Sequence, residues 1–492
     1  MVRKGVLGQG AVLVVVLMAV LVSSAAQTTG QAGQPAPTAQ AGAAAPAPAP
    51  AATEAPAKKA GPYVTKGWSA RPAPEPPDYV KTLDKLGIED LKDIKWLEFG
   101  IEQRTRFDYH DDYLRRATLE NDGQFLLRSR VYLGIRDIVD PLRFGFEFQD
   151  GRQFNSNFPE TTREVDEYDI LQAFGELYFK DALGPGIPIQ FRAGRMTLDL
   201  VDRRQVSRST FGNTTQAFDG FRLRFGEPKA DWQIDLLAAQ PVERRMTQLD
   251  RPDEERWLYG LTGAWRGWSQ YVTLEPYYFV LDEQRTDPAA ADGEIHSLGM
   301  HLFGPIAQTN FDYDMNGAFQ CGENGERRRR AWAAYGELGY TFEHEWKPRP
   351  SISLAYATGD RSPNDSLDER FNRLYQTTTA YSITELFSWE NTISPHVRLE
   401  MKPTDKLRLD SSYGVFWLAS DTDAWVIPGR RDATGNSGDL VAQELQFRIR
   451  YQLHKMVELE LGYSHLLPGS FVGNTGLSDD SDFLWVMSTL KF

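Results

Sequence analysis

The chain has 492 residues, and its 68 aspartates and glutamates outnumber its 54 lysines and arginines, which gives a formal net charge of -14. The single cysteine, Cys321, excludes a disulfide-stapled scaffold. Against this acidic total, the arginine-rich stretch at 191–225 needs an explanation, because clustered guanidinium groups suit nucleic acid, an anion site or the inside of a pore.

The first 26 residues have the three parts of an export signal. Arg3 and Lys4 form a positive start, residues 11–22 form an apolar core, and the small residues up to Ala26 suit cleavage. The apolar run is shorter than the roughly 20 residues that a spanning helix needs. Residues 1–26 are therefore predicted to be a signal peptide.

Two lead-in segments follow the signal. Residues 27–77 are rich in alanine and proline and poor in large apolar side chains, so they cannot bury enough surface to offset chain entropy. We predict a disordered periplasmic spacer there. Residues 78–95 have an amphipathic pattern interrupted by Gly87, which predicts a short periplasmic helix leading into a folded domain at 96–492.

From residue 96 onward the hydrophobic period is two, which is typical of strands with one apolar and one polar face. In the first such segment, Phe99 and Ile101 alternate with Glu98 and Glu102. The same template fits about eighteen segments. They lie near 96–107, 124–137, 141–150, 169–180, 187–198, 218–226, 231–240, 257–266, 268–281, 294–303, 308–316, 331–343, 350–358, 391–402, 406–418, 440–453, 456–466 and 483–492.

Long and short connections alternate strictly along these predicted strands. Long polar stretches such as 108–123, 151–168 and 359–390 follow odd-numbered strands, whereas tight turns follow even-numbered ones. Every lysine after Trp96 falls in or beside a short turn. The asymmetry predicts an all-β fold, a transmembrane antiparallel β-barrel of about eighteen strands whose short turns and chain ends lie in the periplasm.

The terminal strand and the aromatic residues fit the same architecture. The chain ends in Phe492, and such an ending resembles the signal that outer-membrane barrels present to the barrel assembly machinery. Four consecutive arginines at 327–330 fall in a predicted external loop, where lipopolysaccharide phosphates are the natural partners. Aromatic residues near predicted strand ends suit interfacial girdles, although core aromatics would give the same pattern. They are Trp257, Trp265, Trp268, Tyr277, Tyr278, Trp417 and Trp485.

The strand arginines share the face opposite the apolar residues and are therefore expected to line the lumen. A guanidinium group pairs with a carboxylate through two parallel hydrogen bonds, so such a wall suits a carboxylated anion. Acidic residues such as Glu102, Glu176 and Asp235 share that face, so a ladder of ion pairs that stiffens the wall is the alternative. The arginines are Arg104, Arg106, Arg128, Arg130, Arg136, Arg143, Arg192, Arg222, Arg224, Arg398, Arg408, Arg448 and Arg450.

Two blocks, AGRMTLDLVDRRQVSRSTFGNTTQAFDGFRLRF at 193–225 and AYATGDRSPNDSLDERFNRLYQTTTAY at 355–381, resemble the bacterial alginate export family of outer-membrane porins. The resemblance implies an eighteen-stranded barrel whose electropositive pore passes an anionic polyuronate from the periplasm to the exterior. The positions that match the family's blocks are Gly194, Arg195, Arg203, Arg204, Asp219, Gly220 and Arg222 in the first block and Gly359, Asp360 and Asp365 in the second.

Taken together, these observations predict a channel for an alginate-like polyuronate in the outer membrane of a Gram-negative-type bacterium. The expected partners are the anionic polysaccharide, outer-membrane lipid and lipopolysaccharide, the barrel assembly machinery and periplasmic export proteins. The alternative is a general porin or one selective for other anions or acidic sugars. The predicted substrate path comprises Arg104, Arg106, Arg128, Arg130, Arg192, Arg195, Arg203, Arg204, Asp219, Arg222, Arg224, Arg448 and Arg450, with Gly359, Asp360 and Asp365 in the late loop.

Other classes of function find less support in the sequence. The seven histidines lie in no nucleophile or metal motif, so an outer-membrane enzyme is the weaker reading and no catalytic residue, cofactor or metal is expected. The acidic stretch at 359–369 lacks the glycine and the final glutamate of a calcium-binding EF-hand loop. Nucleic acid is not expected, because its binding would need a basic patch on a soluble domain.

Overall fold

The alternation of apolar and polar residues produces long strands whose two faces meet different surroundings. The computed structural model describes residues 62–115, 121–286 and 292–492. Outward-facing apolar side chains are exposed, as in Phe144 (52%) and Leu261 (45%), whereas inward-facing polar side chains such as Arg104 (1%) and Glu147 (0%) are buried. A sheet with apolar side chains outside and polar side chains inside, the reverse of a soluble protein, fits a lipid exterior and a polar lumen.

Eighteen antiparallel strands in the described residues form one closed barrel. Each strand pairs with its neighbours in sequence, and the first and last strands pair from Glu102 opposite Lys491 to Asp111 opposite Asp482. The strands are β1 Leu97–Asp111, β2 Asn121–Val139, β3 Leu142–Phe154, β4 Asp166–Phe179, β5 Ile189–Met196, β6 Phe218–Gly226, β7 Trp232–Glu243, β8 Arg256–Trp265, β9 Thr273–Glu283, β10 Gly293–Pro305, β11 Phe311–Asn324, β12 Arg327–Tyr340, β13 Arg349–Ala357, β14 Thr392–Met401, β15 Leu407–Trp417, β16 Leu440–His454, β17 Val457–Pro468 and β18 Ser481–Lys491.

The all-β class and the eighteen-strand closed barrel predicted from the sequence are confirmed. One connection departs from the expected alternation, because β11 and β12 are joined by only two residues, Gly325 and Glu326. The four arginines at 327–330 therefore begin β12 and do not lie in a loop. The strands keep pairing through polar residues up to Asn324 opposite Arg327, the last pair before the turn. This pairing extends the hairpin beyond its apolar part.

The aromatic residues predicted for the interfacial girdles divide into exposed and inward-facing side chains. Trp265, Trp268 and Tyr278 are exposed on the outer face. Trp485 and Tyr277 instead point inward and are 1% and 3% exposed. Each has a polar lumenal partner, since Trp485 Nε1 donates to Glu460 at 2.8 Å and the Tyr277 hydroxyl donates to Asn316 at 2.7 Å.

One end of the barrel carries the long loops. Two of these loops fold back into the lumen. The first, residues 197–217 between β5 and β6, is called the lumenal loop; its Leu198 and Val206 are fully buried. The second, residues 358–391 between β13 and β14, is called the late loop; it buries Phe371 and Trp389. The two loops share one hydrophobic cluster, so the lumen contains a core of its own.

The described part of the predicted spacer differs from the expectation of a free chain. Residues 62–80, called the N-terminal segment, contact lumenal side chains: the Trp68 amide donates to Glu337 at 2.9 Å and the Ala73 amide donates to Asp199 at 2.7 Å. The segment has little apolar surface, but its few aromatic and charged groups match the charged lumen wall. The remainder of the spacer and the predicted signal peptide lie outside the described residues.

Short elements complete the described chain. The helix expected over 78–95 is replaced by a two-residue strand, Lys81–Thr82, which pairs with β1, and by 3-10 turns at Leu83–Lys85 and Glu89–Leu91. A third 3-10 turn, Thr378–Ala380, lies in the late loop, and a helix, α1 Ser470–Thr475, lies between β17 and β18. Two-residue strands occur at Arg251–Pro252, Leu367–Asp368, Ala424–Trp425 and Arg430–Arg431. No helix among the described residues has the length and apolar character to cross a membrane.

Candidate functional site: the arginine-rich lumen

Four of the predicted path arginines hold the lumenal loop against the wall. On β1, Arg104 donates to the backbone carbonyls of Thr210, Phe211 and Gly212, each at 2.9 Å. On β2, Arg128 donates to the Gly212 carbonyl at 2.8 Å and to Glu102 at 2.7 Å. The loop carbonyls thus accept hydrogen bonds from these guanidinium groups.

The other two members of this group complete the clamp. Arg106 donates to the Phe211 carbonyl at 2.6 Å and to Asp108 at 2.8 Å, and its guanidinium lies 4.2 Å from the centre of the Phe211 ring. Arg130 donates to Gln149 at 2.7 Å and to Thr215 at 2.9 Å. We call Arg104, Arg106, Arg128 and Arg130 the clamp arginines.

The arginines of the lumenal loop also have partners within the protein. Arg203 pairs with Asp199 at 3.2 Å, and Arg204 pairs with Asp202 at 3.1 Å while its guanidinium lies 3.3 Å from the ring centre of Tyr335. Burial raises the pKa of the Asp199 carboxyl, although the Arg203 charge and two backbone amides oppose this effect. The predicted path residues Arg203 and Arg204 therefore fix the loop's shape.

In a second group of three arginines, one nitrogen of each guanidinium points at the same carboxylate, that of Glu75. Arg222 and Arg224 both pair with Asp235, at 3.0 and 2.8 Å, and Arg192 pairs with Glu176 at 2.8 Å. Their Nη1 atoms lie 2.8, 3.8 and 3.3 Å, respectively, from the Glu75 carboxylate of the N-terminal segment. We call Arg192, Arg222 and Arg224 the triad arginines.

The remaining path residues on the strands form ion pairs along the wall. Arg195 and Asp219 make two parallel hydrogen bonds of 2.8 and 2.9 Å between β5 and β6. Arg448 and Arg450 share Asp410 at 3.1 and 2.7 Å, and their side chains stay 23% and 24% exposed. These last two arginines thus combine a wall partner with access to the lumen.

The late-loop residues of the predicted path lie near the first residue of β12, Arg327. Arg327 Nη2 donates to both carboxylate oxygens of Asp360, at 3.1 and 2.9 Å, and lies 3.5 Å from Asp365. Gly359 is packed so closely that a Cβ atom there would lie 1.9 Å from Asn391 Oδ1. Asp360 and Asp365 therefore pair with an arginine that was predicted to contact lipopolysaccharide, and Gly359 packs against Asn391.

The lumenal loop and the N-terminal segment divide the space inside the barrel. A cavity of about 620 Å³ lies between the N-terminal segment and the wall and is lined by Glu75 and the triad arginines. Another, of about 610 Å³, is lined by Trp68, Arg408, Arg448 and Arg450. A smaller one of about 260 Å³ lies toward the long loops, beside Arg106 and Glu385.

Sequence reasoning missed Glu75, which lies in a stretch assigned to the spacer, and Arg208, which pairs with Glu147 at 2.8 Å. Arg208 lies in the quoted arginine-rich block, so its position was a usable signal. Nothing in the local pattern of a proline-rich stretch marks Glu75, because its partners are remote in sequence.

Two groups in the described residues have ligand atoms within 4.8 Å of one another, as a metal ion would require: Asp202, His301 and Asp314, and Asp166, Asp169 and Asp250. The first group is already neutralised in part, since Arg204 pairs with Asp202. In the second, burial and the charges of the other two aspartates raise the pKa of the Asp250 carboxyl to about 8. A proton shared among these carboxyls relieves the same repulsion that a cation would.

Comparisons with known proteins agree with the barrel fold. The barrel is similar to OccK8 (OprE) of Pseudomonas aeruginosa, with a TM-score of 0.55 and 13% identity over 80% of this chain and 98% of that one. It is also similar to OccAB1 of Acinetobacter baumannii, with a TM-score of 0.55 and 12% identity over 84% and 100% of the two chains. OpdK of Pseudomonas aeruginosa, solved with vanillate, gives a TM-score of 0.54 and 11% identity over 80% and 98%. Among curated proteins, no sequence matches this chain.

At such identities the solved structures establish the fold alone, and the family assignment rests on sequence. The sequence profile of the family described as Alginate export matches residues 95–486. That match begins just before β1 and extends into β18, so it spans the whole barrel. The protein is therefore an outer-membrane barrel of the channel type, and it belongs to the alginate export family.

Proposed function

We propose that the protein passes an anionic, carboxylated polysaccharide, an alginate-like polyuronate, through the arginine-rich lumen of the barrel. The observation that carries this proposal is the triad, in which Arg192, Arg222 and Arg224 converge on one carboxylate in a lumenal cavity. Uronate carboxylates present the same two oxygens to such a site. The family's description supports our proposal of export from the periplasm to the exterior, with periplasmic export proteins as the proposed partners.

The wall charges allow exchange of a carboxylate between sites. Beyond the triad, Arg448 and Arg450 remain partly exposed in a neighbouring cavity. A polymer with one carboxylate on each sugar can contact several of these groups at once, which keeps it bound while single contacts break. The clamp arginines contribute by holding the lumenal loop, which sets the width of the path.

A second candidate function is uptake or diffusion of small carboxylates. The division of the lumen into cavities of about 260 to 620 Å³ favours it, because these volumes suit a small ligand better than a polymer. A barrel of the same fold, OpdK, was solved with vanillate. The two functions differ in whether the lumenal loop and the N-terminal segment move aside.

The test is planar-bilayer conductance of the purified barrel with a salt gradient and with defined oligouronates. A carboxylate about 4 Å from one guanidinium gains about 1 kcal/mol in a water-like medium, so Arg224→Gln should weaken oligouronate block about fivefold and shift the reversal potential toward cations. The block should also weaken as salt shortens the screening length below about 10 Å.

The matched control is Arg328→Gln, which removes the same charge from an exposed, outward-facing position on β12. This variant should leave selectivity and block unchanged. Equal effects of the two substitutions would refute a lumenal arginine path. Block by monomeric uronates without block by oligomers would favour the small-carboxylate function.

A further inference from the structure

The triad arginines carry one more positive charge than their wall partners balance. Arg222 and Arg224 share Asp235, and Arg192 pairs with Glu176, so three guanidinium groups face two wall carboxylates. Arg143 lies 4.0 Å from Glu176, but its closer partner is Asp137 at 3.0 Å. The site therefore has a net charge that favours one more anion.

Glu75 supplies that anion from the protein's own chain. Its carboxylate lies 2.8 Å from Arg222, 3.3 Å from Arg192 and 3.8 Å from Arg224, and its side chain is 26% exposed. Burial alone would raise the pKa of the Glu75 carboxyl, but the charges of Arg222, Arg224 and Arg192 outweigh it and hold this pKa far below its usual range.

The segment around Glu75 is held in a way that permits release. Prolines at 72, 74, 76 and 77 remove backbone donors, so the segment adds no strand to the wall and leaves no unpaired sheet edge when it departs. Apart from the buried side chains of Ala70 and Tyr79 and the Trp68 ring, which lies against two wall arginines, its anchors are individual polar contacts, such as Ala73 to Asp199 at 2.7 Å and Lys66 to Asp312 at 3.6 Å. Each contact is modest and can be lost singly.

We propose that the triad is a carboxylate-binding site of the transport path and that Glu75 occupies it as an internal ligand, which a carboxylated substrate displaces. This inference rests on the proposed passage of a carboxylated polymer. A tethered carboxylate has a high effective concentration, so single uronates compete with it poorly. A polymer competes well, because its many carboxylates engage neighbouring arginines as the segment leaves.

The test compares Glu75→Gln with wild type in planar bilayers, with galacturonate and a defined oligogalacturonate as probes. If the internal ligand leaves the site free about a tenth of the time, its removal lowers the half-blocking concentration about tenfold. The matched control is Asp78→Asn, which removes the same charge from the same segment. Asp78 pairs with Lys491 at 2.8 Å and not with the triad arginines. This control should behave as wild type.

The outcomes separate this inference from the proposed function. Tighter block by both probes in Glu75→Gln alone supports the internal ligand. If oligogalacturonate blocks wild type and Glu75→Gln equally, the inference is overturned while the transport proposal stands. If galacturonate block tightens in Glu75→Gln but the oligomer blocks no variant, the carboxylate site stands and polymer transport falls. Equal tightening in Asp78→Asn overturns the inference, since it indicates a general charge effect; heat-modifiable gel migration verifies folding of each variant.

Discussion

Replacing Arg104 with methionine should release the lumenal loop without unfolding the barrel. The Arg104 side chain is 1% exposed and donates to the carbonyls of Thr210, Phe211 and Gly212 and to the Asn213 side chain. Methionine keeps much of the apolar stem and removes the charge and every donor.

The expected cost follows from the remaining donors. A hydrogen bond from a charged donor contributes about 1.5–3 kcal/mol. Each of the three carbonyls keeps a second donor, because Arg128 also donates to Thr210 and Gly212 and Arg106 also donates to Phe211. Loss of Arg104 also relieves repulsion among the clamp arginines. We therefore expect a loss of about 3 kcal/mol, which is about a hundredfold in the opening equilibrium of the loop.

Hydrogen exchange of the peptide covering residues 207–217 measures that equilibrium. Its Gly212 amide donates to Ser209 Oγ at 3.0 Å only while the loop keeps this conformation. Arg408→Met is the matched control, because Arg408 is an exposed arginine on β15, whereas Arg104 is buried against the loop. Wild-type exchange of residues 207–217 in a folded Arg104→Met protein would show that the clamp contacts do not stabilise the loop.

Two further predictions concern the outer loops. In the packed loop at 244–255 the pKa of the Asp250 carboxyl is raised from 3.8 to about 8. Between these two pH values the packed loop keeps a proton that the opened loop has lost. The stability of the packed loop should therefore fall as the pH rises from about 4 to about 8. Protease cleavage in 244–255 should accelerate over this range in wild type relative to Asp250→Asn, and parallel pH profiles would contradict the assignment. Arg327→Gln should cost about 1–3 kcal/mol of late-loop stability, because it loses the bonds to Asp360, and should accelerate cleavage within 359–390. Arg328→Gln, one residue away on the exposed face, is the control, and equal cleavage of the two variants would argue against this attachment.

Local pattern was sufficient for the wall of the barrel. A period of two is a property of a few consecutive residues, so alternation in stretches such as 97–107 determined which side chains face lipid and which face the lumen. The facing of Arg104, Arg222 and Arg448 follows from the same rule, because each lies opposite the apolar residues of its strand. Strand number followed from counting such stretches between turns.

Long-range contacts decided what each lumenal charge does. Arg104 meets the carbonyl of Gly212, 108 residues away, and Arg222 meets Glu75, 147 residues away. Closure of the barrel brings such groups together, and no periodicity encodes which distant carbonyl or carboxylate fills a given guanidinium. The sequence therefore determined an arginine-bearing wall, whereas only the tertiary structure distinguished clamp arginines that hold a loop from triad arginines that hold a carboxylate. The physical reason is that strand facing depends on local sterics, while charge pairing depends on which segments the closed sheet folds back into its lumen.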